Sequence, residues 1–316
     1  MQIVRTAVIG VGYLGRFHAQ KYATLPQSQL VAVVDADAGA CGRVAAETGC
    51  RASGDFREIL GSVDAVSIAT PTPVHHAIAR ECLERGVHVL VEKPITETIE
   101  EARDLVGLAA RKALILQVGH LERFNPAIQA LGGTLRTPRF VESHRLAPFR
   151  ERGTDVNVVL DLMIHDIDLI QSLVRSPIVS IDAVGTSVFS AGLDIANARI
   201  RYANGCVANT TASRVSMKTE RKLRLFQDDA YVSIDLQQKV LTIVRKPPVG
   251  SGAALGQVAI EERTYEQGDA LRLEIESFLQ SILEGRPAVV TGEEGLQALE
   301  TALRITALVQ GQEGRA

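Results

Sequence analysis

The chain has few cysteines, no long apolar run and no block of like charge, and each shortage removes a class of function. Its four cysteines, Cys41, Cys50, Cys82 and Cys206, form no C-x-x-C pair and have no metal-ligand spacing. A disulfide framework and a cysteine metal site are therefore excluded, and the thiols read as reduced and mostly buried, as in a cytoplasmic protein. No apolar run reaches the roughly 18 residues of a membrane-crossing helix, and no basic segment followed by a long apolar region opens the chain. A protein that is neither exported nor membrane-spanning is expected. Lys and Arg are scattered and the formal net charge is -3, which leaves no footprint for nucleic acid. Internal repeats are missing too. The one stretch resembling low complexity is Lys246-Pro247-Pro248-Val249-Gly250-Ser251-Gly252, which reads as a mobile loop.

The rest of the composition is that of an ordinary globular enzyme, with 46% hydrophobic and 22% charged residues. A length of 316 residues exceeds what one core usually supports, so two domains are expected. Through the first 120 residues strand and helix signals alternate: apolar strands at 6–9, 30–34, 65–69, 87–91 and 114–118, with helices at 16–23 and 74–85 between them. Asp55 with Glu58, Thr98 with Glu101, and Thr291 with Glu294 have capping-box spacing, and Thr72-Pro73 offers a cap and a first-turn proline. This alternation predicts a doubly wound parallel sheet. Beyond Gly119-His120 the pattern changes. A short helix near Asn125-Pro126, a strand at 140–146 and a longer helix at 161–174 precede runs of alternating residues, with Asn204-Gly205 as a strong hairpin signal. An α+β second domain with a mostly antiparallel sheet follows, closed by helices at 271–283 and 293–308.

Within the first part, the segment Gly10-Val11-Gly12-Tyr13-Leu14-Gly15 stands between the first strand and the first helix. Its glycines permit a tight turn, close approach of a pyrophosphate and close helix packing, and the helix N-terminus offers free N–H groups to phosphate. The second strand ends in Asp35, about 20 residues on, where a carboxylate binds ribose hydroxyls. Ala36 and Asp37 supply no arginine for a 2′-phosphate, so NAD is favoured over NADP. Thr70 and Pro71 end the fourth strand and offer main-chain contacts to the cofactor; His75 is expected to line the nicotinamide side of the cleft. His18, one turn past Gly15, reads either as a packing residue or as one that reaches the catalytic face. Glu92-Lys93-Pro94 follows the apolar run Val87-His88-Val89-Leu90-Val91. Proline lacks an N–H and restricts its predecessor, so the chain must turn there and present Lys93 at the carboxyl edge of the sheet, where open α/β domains bind ligands.

A second constellation is Asp161-Leu162-Met163-Ile164-His165. At i and i+4 on a helix, Asp161 can hold the His165 imidazole in one tautomer, which makes an orienter and a base; a helix-surface pair or a satisfied core histidine is the blander alternative. A metal is not expected, since no second histidine or cysteine lies at ligand spacing.

Taken together, Gly10-Val11-Gly12-Tyr13-Leu14-Gly15 with His18, Ala69-Thr70-Pro71, Glu92-Lys93-Pro94, Gly119-His120 and Asp161 through His165 resemble the Gfo/Idh/MocA oxidoreductase family along the whole chain. The resemblance implies an NAD-binding Rossmann domain over 1–120 and a substrate domain over 121–316. The open sheet of that second domain commonly forms a homo-oligomer interface, here a dimer or tetramer, and the C-terminal helix is expected to pack back near the first domain. It also implies that Lys93 and His165 flank a sugar or polyol carbon facing the nicotinamide, with Asp161 behind His165. Glu92 joins the cofactor contacts.

Within the family, Gly119-His120-Leu121-Glu122-Arg123-Phe124-Asn125-Pro126 and Glu142-Ser143-His144-Arg145 resemble the nucleotide-sugar 3-dehydrogenases. That implies oxidation of the 3-hydroxyl of a UDP-sugar such as UDP-N-acetylglucosamine, ahead of an aminotransferase that completes the diamino sugar of lipid A. A diphosphate needs cations, and Arg123, Arg145, Arg150 and Arg152 are the candidates, because Arg grips phosphate bidentately. Phe149-Arg150-Glu151-Arg152-Gly153-Thr154 reads as a lid. His120, Asn125 and His144 are candidates for the sugar ring. Either Lys93 or His165 can be the principal base. Another sugar or polyol as substrate, and a non-catalytic NAD-binding regulator on the same fold, remain open.

Overall fold

A computed structural model of the protein describes residues 3–149, 156–246, 258–265 and 268–313. Contacts divide the chain into two compact units, one of Met1–Leu121 with Asp269–Leu299 and one of Glu122–Gly268 with Glu300–Ala316. The lid candidates Arg150 and Arg152, and residues 247–252 of the low-complexity stretch, lie outside the described residues.

In the first unit the elements run β1 (Val4–Ile9), α1 (Tyr13–Thr24), β2 (Ser28–Val34), α2 (Ala38–Thr48), β3 (Arg51–Ser53), β4 (Ala65–Ile68), α3 (His75–Glu84), β5 (His88–Glu92), α4 (Ile99–Lys112) and β6 (Leu116–Gly119). The strands form one parallel sheet in the order β3-β2-β1-β4-β5-β6, so the chain reverses its direction of winding between β1 and β4. β4 and β5 are apolar on both faces because helices cover both.

Helix boundaries follow from the capping chemistry. Thr98 and Glu101 exchange side-chain bonds with each other's main-chain N–H, a complete capping box at α4. Thr291 and Glu294 do the same. Asp55 and Glu58 do not: Asp55 accepts from Arg57 N, but the Glu58 carboxylate accepts from Arg51 and Ser53 instead, and the segment forms only a 3-10 turn. Thr72-Pro73 likewise lies inside a 3-10 turn that leads into α3, so the α-helix starts at His75.

The second unit holds α5 (Pro126–Gln129), β7 (Phe140–Leu146), α6 (Ile164–Val174), β8 (Ile178–Thr186), β9 (Ile195–Tyr202), β10 (Val207–Ser213), β11 (Glu220–Phe226), β12 (Ala230–Asp235), β13 (Val240–Arg245) and β14 (Ala259–Thr264). Its eight strands form a sheet in the order β14-β13-β12-β11-β7-β10-β9-β8, antiparallel except for the β7–β10 pair. The Asn204-Gly205 hairpin joins β9 to β10. Gly205 takes a left-handed φ of 85°, and the Asn204 side chain accepts from Cys206 N. On one face of this sheet lies α6; strand residues on that face are buried, and their alternate neighbours are half-exposed.

Two helices close the chain, α7 (Ala270–Glu284) and α8 (Gly292–Glu313). The former belongs to the first unit: Leu271, Ile275, Phe278 and Leu279 share one apolar cluster with Tyr22 of α1 and with Val8, Val33 and Leu90 of the sheet. Among the described residues no helix is long and apolar enough to cross a membrane.

Candidate active site

At the reversal between β1 and β4, the glycine turn is held by close contacts. Gly10 has a φ of 85°, and a Cβ there would lie 2.8 Å from the Ala69 carbonyl and from Thr70 Cγ2. A Cβ at Gly15 would lie 1.8 Å from the Gly10 carbonyl oxygen, so only glycine lets α1 approach the turn this closely. Gly12 is different: a Cβ there would meet nothing within 4 Å. The fold itself does not demand glycine at 12; a phosphate approaching the helix from outside does. No side chain caps the N-terminus of α1, so its first N–H groups have no protein acceptor of that kind.

Asp35 completes the cradle. Its carboxylate accepts from Val11 N at 2.7 Å and from Asp37 N at 2.9 Å, which pins it beside the glycine turn. A carboxylate has about four acceptor sites, so ribose hydroxyls can still be bound. Asp37 caps α2 through Gly39 N and Ala40 N, and these bonds hold its carboxyl below the usual range. At the same edge, the Thr70 hydroxyl is buried and makes no hydrogen bond. Tyr13 is exposed and Leu14 half-buried on the first turn of α1.

Lys93 follows β5 directly, half-buried at the carboxyl edge of the sheet, and the Lys93–Pro94 peptide is cis. The Glu92 carboxylate, expected among the cofactor contacts, turns inward: its Oε1 lies 3.1 Å from Nε2 of the fully buried His18. Glu92 has Gly119 opposite it on β6, and a Cβ at that position would stand 2.8 Å from Oε1. His75, expected on the nicotinamide side of the cleft, also turns inward. It is 1% exposed, with Nδ1 3.0 Å from the Pro94 carbonyl and Nε2 2.8 Å from the Thr70 carbonyl.

Behind Glu92 sits Glu274, on the core-facing stripe of α7. It is fully buried, neither carboxyl oxygen has a hydrogen-bond partner among the described residues, and burial together with the charge of Glu92 raises its pKa well above the usual carboxyl range. His18, Glu92 and Glu274 offer ligand atoms within 4.8 Å of one another, a grouping from three distant segments that no local spacing reveals. Sequence reasoning missed Glu274 and the His18 contact, yet both leave a signal. Leu271, Glu274, Ile275 and Phe278 follow i, i+3, i+4, i+7 spacing, and so do Gly15, His18, Ala19 and Tyr22; each stripe puts a polar residue where the helix faces the core.

In the second unit, Asp161 lies in a π-helical turn, Val159–Met163, which precedes α6. Asn157, unrecognised in the sequence, caps this segment through Val159 N and Leu160 N. In a π turn the bonds run i to i+5, so the α-helical spacing argument for Asp161 and His165 does not carry over unchanged. Both side chains are half-buried.

Three substrate candidates are corrected here. Arg145 is buried, donating to Asp166 Oδ1 at 2.8 and 3.1 Å and to Glu122 Oε1 at 2.9 Å. Burial alone would lower its pKa, but the two carboxylates outweigh it and raise it, so Arg145 is a lasting cation already held by protein carboxylates. Asn125 is 5% exposed; it caps α5 through Ala127 N and donates to the Leu236 carbonyl. His144 points away from α6, since adjacent strand residues face opposite sides and Arg145 faces Asp166 of α6; it pairs with Glu220 at 3.4 Å. Arg123 donates to Asp168 at 2.8 Å and is only 13% exposed. His120 is buried.

Residues 4–120 match the family model described as "Oxidoreductase family, NAD-binding Rossmann fold", and residues 130–233 match the GFO/IDH/MocA C-terminal domain. The chain belongs to the Gfo/Idh/MocA oxidoreductase family. As a member of that family it is an NAD-dependent dehydrogenase, and the glycine cradle with Asp35 fits the dinucleotide. It is 43% identical to UDP-N-acetylglucosamine 3-dehydrogenase from Acidithiobacillus ferrooxidans, over 97% of each chain. A solved structure of that Acidithiobacillus enzyme superposes with a TM-score of 0.92, covering 98% of this chain and 99% of the other at 42% identity. A more distant Gfo/Idh/MocA relative is scyllo-inositol 2-dehydrogenase (NAD(+)) from Bacillus subtilis, 27% identical over 96% of this chain and 93% of the relative.

Proposed function

We propose that the protein oxidises the 3-hydroxyl of UDP-N-acetylglucosamine to the 3-keto sugar. The similarity to UDP-N-acetylglucosamine 3-dehydrogenase over nearly the full length of both chains carries this reading. NAD, when bound, supplies the hydride acceptor. Gly10, Gly12 and Gly15 with the first turn of α1 hold its phosphates, and Asp35 its ribose. The alcohol oxygen becomes partly anionic as the carbon turns into a carbonyl, so a cation and a base are needed. Lys93 is the cation at the sheet edge, and His165, oriented by Asp161, takes the proton. General-base assistance of this kind contributes on the order of 10²–10⁴-fold. With Arg145 held by two carboxylates, the diphosphate falls to Arg150 and Arg152, and to Arg123 in exchange for its pairing with Asp168, with His120 near the sugar.

The keto product has the chemistry that an aminotransferase consumes, and the diamino sugar of lipid A is the end product of such a sequence in the cytoplasm. The open face of the eight-stranded sheet is the homo-oligomer interface. Phe140, Phe226 and Tyr231 pack in series there with ring centroids 5.6 and 5.0 Å apart. Val207, Val244 and Ile260 extend this row to either side.

Incubation with NAD and a panel of UDP-sugars, simple alcohols and polyols tests the substrate reading through nicotinamide absorbance, with a 2-oxoacid or an aminotransferase present to draw off bound reduced cofactor or product. UDP-N-acetylglucosamine is expected to be oxidised fastest. Preferential oxidation of an inositol would overturn the proposal.

A further inference from the structure

Two buried histidines tie down the chain on either side of Lys93. His18 reaches from α1 to the Glu92 side chain, with Nε2 3.1 Å from Oε1. His75, at the start of α3, lies between the Pro94 and Thr70 carbonyls. A ring nitrogen that carries hydrogen donates to the carbonyl it faces, and a ring protonated on both nitrogens donates to both. The residues immediately before and after Lys93 are thus joined to two different helices, and through Thr70 to the loop beside Gly10. Both rings are buried, His18 fully and His75 at 1% exposure. Nε2 of His18 is used on Glu92, and the two ring nitrogens of His75 on Pro94 and Thr70.

We propose that His18 and His75 are positioning residues for Lys93: by holding Glu92 and Pro94 they fix the main chain from which the lysine side chain departs. This rests on the reading of Lys93 as a catalytic group. A lysine side chain is long and rotatable, so its ammonium is placed only as well as its Cα is. A displacement of about 1 Å at a reacting group can cost on the order of 10²-fold in rate. Gly119 belongs to the same arrangement, since a side chain there would push the Glu92 carboxylate off His18.

The test uses the full chain with NAD and sugar substrate, and compares His18→Leu, His75→Leu, His18→Gln, His75→Gln, Lys93→Met and each leucine variant combined with Lys93→Met. The leucine variants are expected to lose roughly 10- to 100-fold in kcat while KM and NAD affinity stay within about twofold. The glutamine variants, which keep an amide donor, are expected to regain most of that rate. Because the histidines act through Lys93, His18→Leu and His75→Leu should cost almost nothing further in the Lys93→Met background. Normal turnover by folded histidine variants beside an inactive Lys93→Met overturns the inference and leaves the catalytic reading intact, as do losses that multiply in the double variants. Normal turnover by Lys93→Met removes that reading and the inference with it. Where a leucine variant fails to fold, His18→Asn and His75→Asn, which shorten the reach of the donor in a polar residue, replace it, and an undiminished kcat in them overturns the inference.

Discussion

Glu274 is a fully buried carboxyl of the first unit, and its charge state is tied to folding. With no hydrogen-bond partner on either oxygen and Glu92 nearby, its carboxyl is held neutral well above its ordinary pKa of 4.5. The unfolded chain releases this proton near the ordinary value, whereas the folded chain keeps it to higher pH. Folding stability from this group is therefore complete below about pH 4.5 and falls as pH rises toward the folded pKa. Glu274→Gln keeps the shape and cannot ionise. Its unfolding midpoint, followed in urea from about pH 5 to about pH 9, is expected to rise relative to the native chain as pH increases; parallel curves would show Glu274 ionised in the fold. At this scale the sequence displayed Lys93, Asp35 and the glycines plainly, because each is marked by a local pattern. Glu274 was hidden because the polar groups near it, His18 and Glu92, come from α1 and β5, far away in sequence.

At the scale of elements, the strand–glycine–helix unit divides its glycines between folding and binding. Gly15→Ala would drive a methyl carbon into the Gly10 carbonyl, and α1 cannot retreat from a sheet against which Tyr22 and Ala19 are fully buried. Gly12→Ala meets open space. We expect Gly12→Ala to melt within a few degrees of the native protein while binding NAD more weakly, and Gly15→Ala to lose both its cooperative melt and its binding. Circular dichroism with fluorescence titration of NADH separates the two; equal loss of stability by both would refute the division. Strands β8 and β11 to β14 were expected only as alternating runs, whereas the parallel strands other than β3, strand β7 and the helices α1, α3, α7 and α8 were legible from period and punctuation. The π turn at Val159–Met163 was not, because an apolar run with a single carboxylate reads as ordinary α-helix until its neighbours widen it. The change of hydrogen-bond period occurs at Asp161, inside the pair read as base and orienter.

For the whole molecule, the broad open face of the eight-stranded sheet carries polar rows beside the aromatic one. Arg199 donates to Asn209, Arg224 to Glu142 and Asn197 to Thr211, so these polar residues are already paired before a second sheet meets them. Such a surface can pack against its own copy without leaving buried charges unpaired. Light scattering after gel filtration should therefore report a multiple of the chain mass. Tyr231→Glu combined with Phe226→Glu is expected to reduce it toward one chain at micromolar concentration with little change in the melt; an unchanged mass would place the interface elsewhere.

Local pattern alone determined that this chain winds a parallel sheet around a dinucleotide site, turns at Glu92-Lys93-Pro94, and continues into an antiparallel sheet, because turns, caps and alternation depend on neighbours a few residues apart. Which arginines are paired with carboxylates, which side of the sheet His144 faces, and what the neighbours of Lys93 touch were decided only by tertiary structure. Those answers depend on carboxylates and carbonyls brought from distant segments, such as Asp166 to Arg145, Glu92 to His18 and Thr70 to His75. A side chain's chemistry is set by the partners that folding gives it.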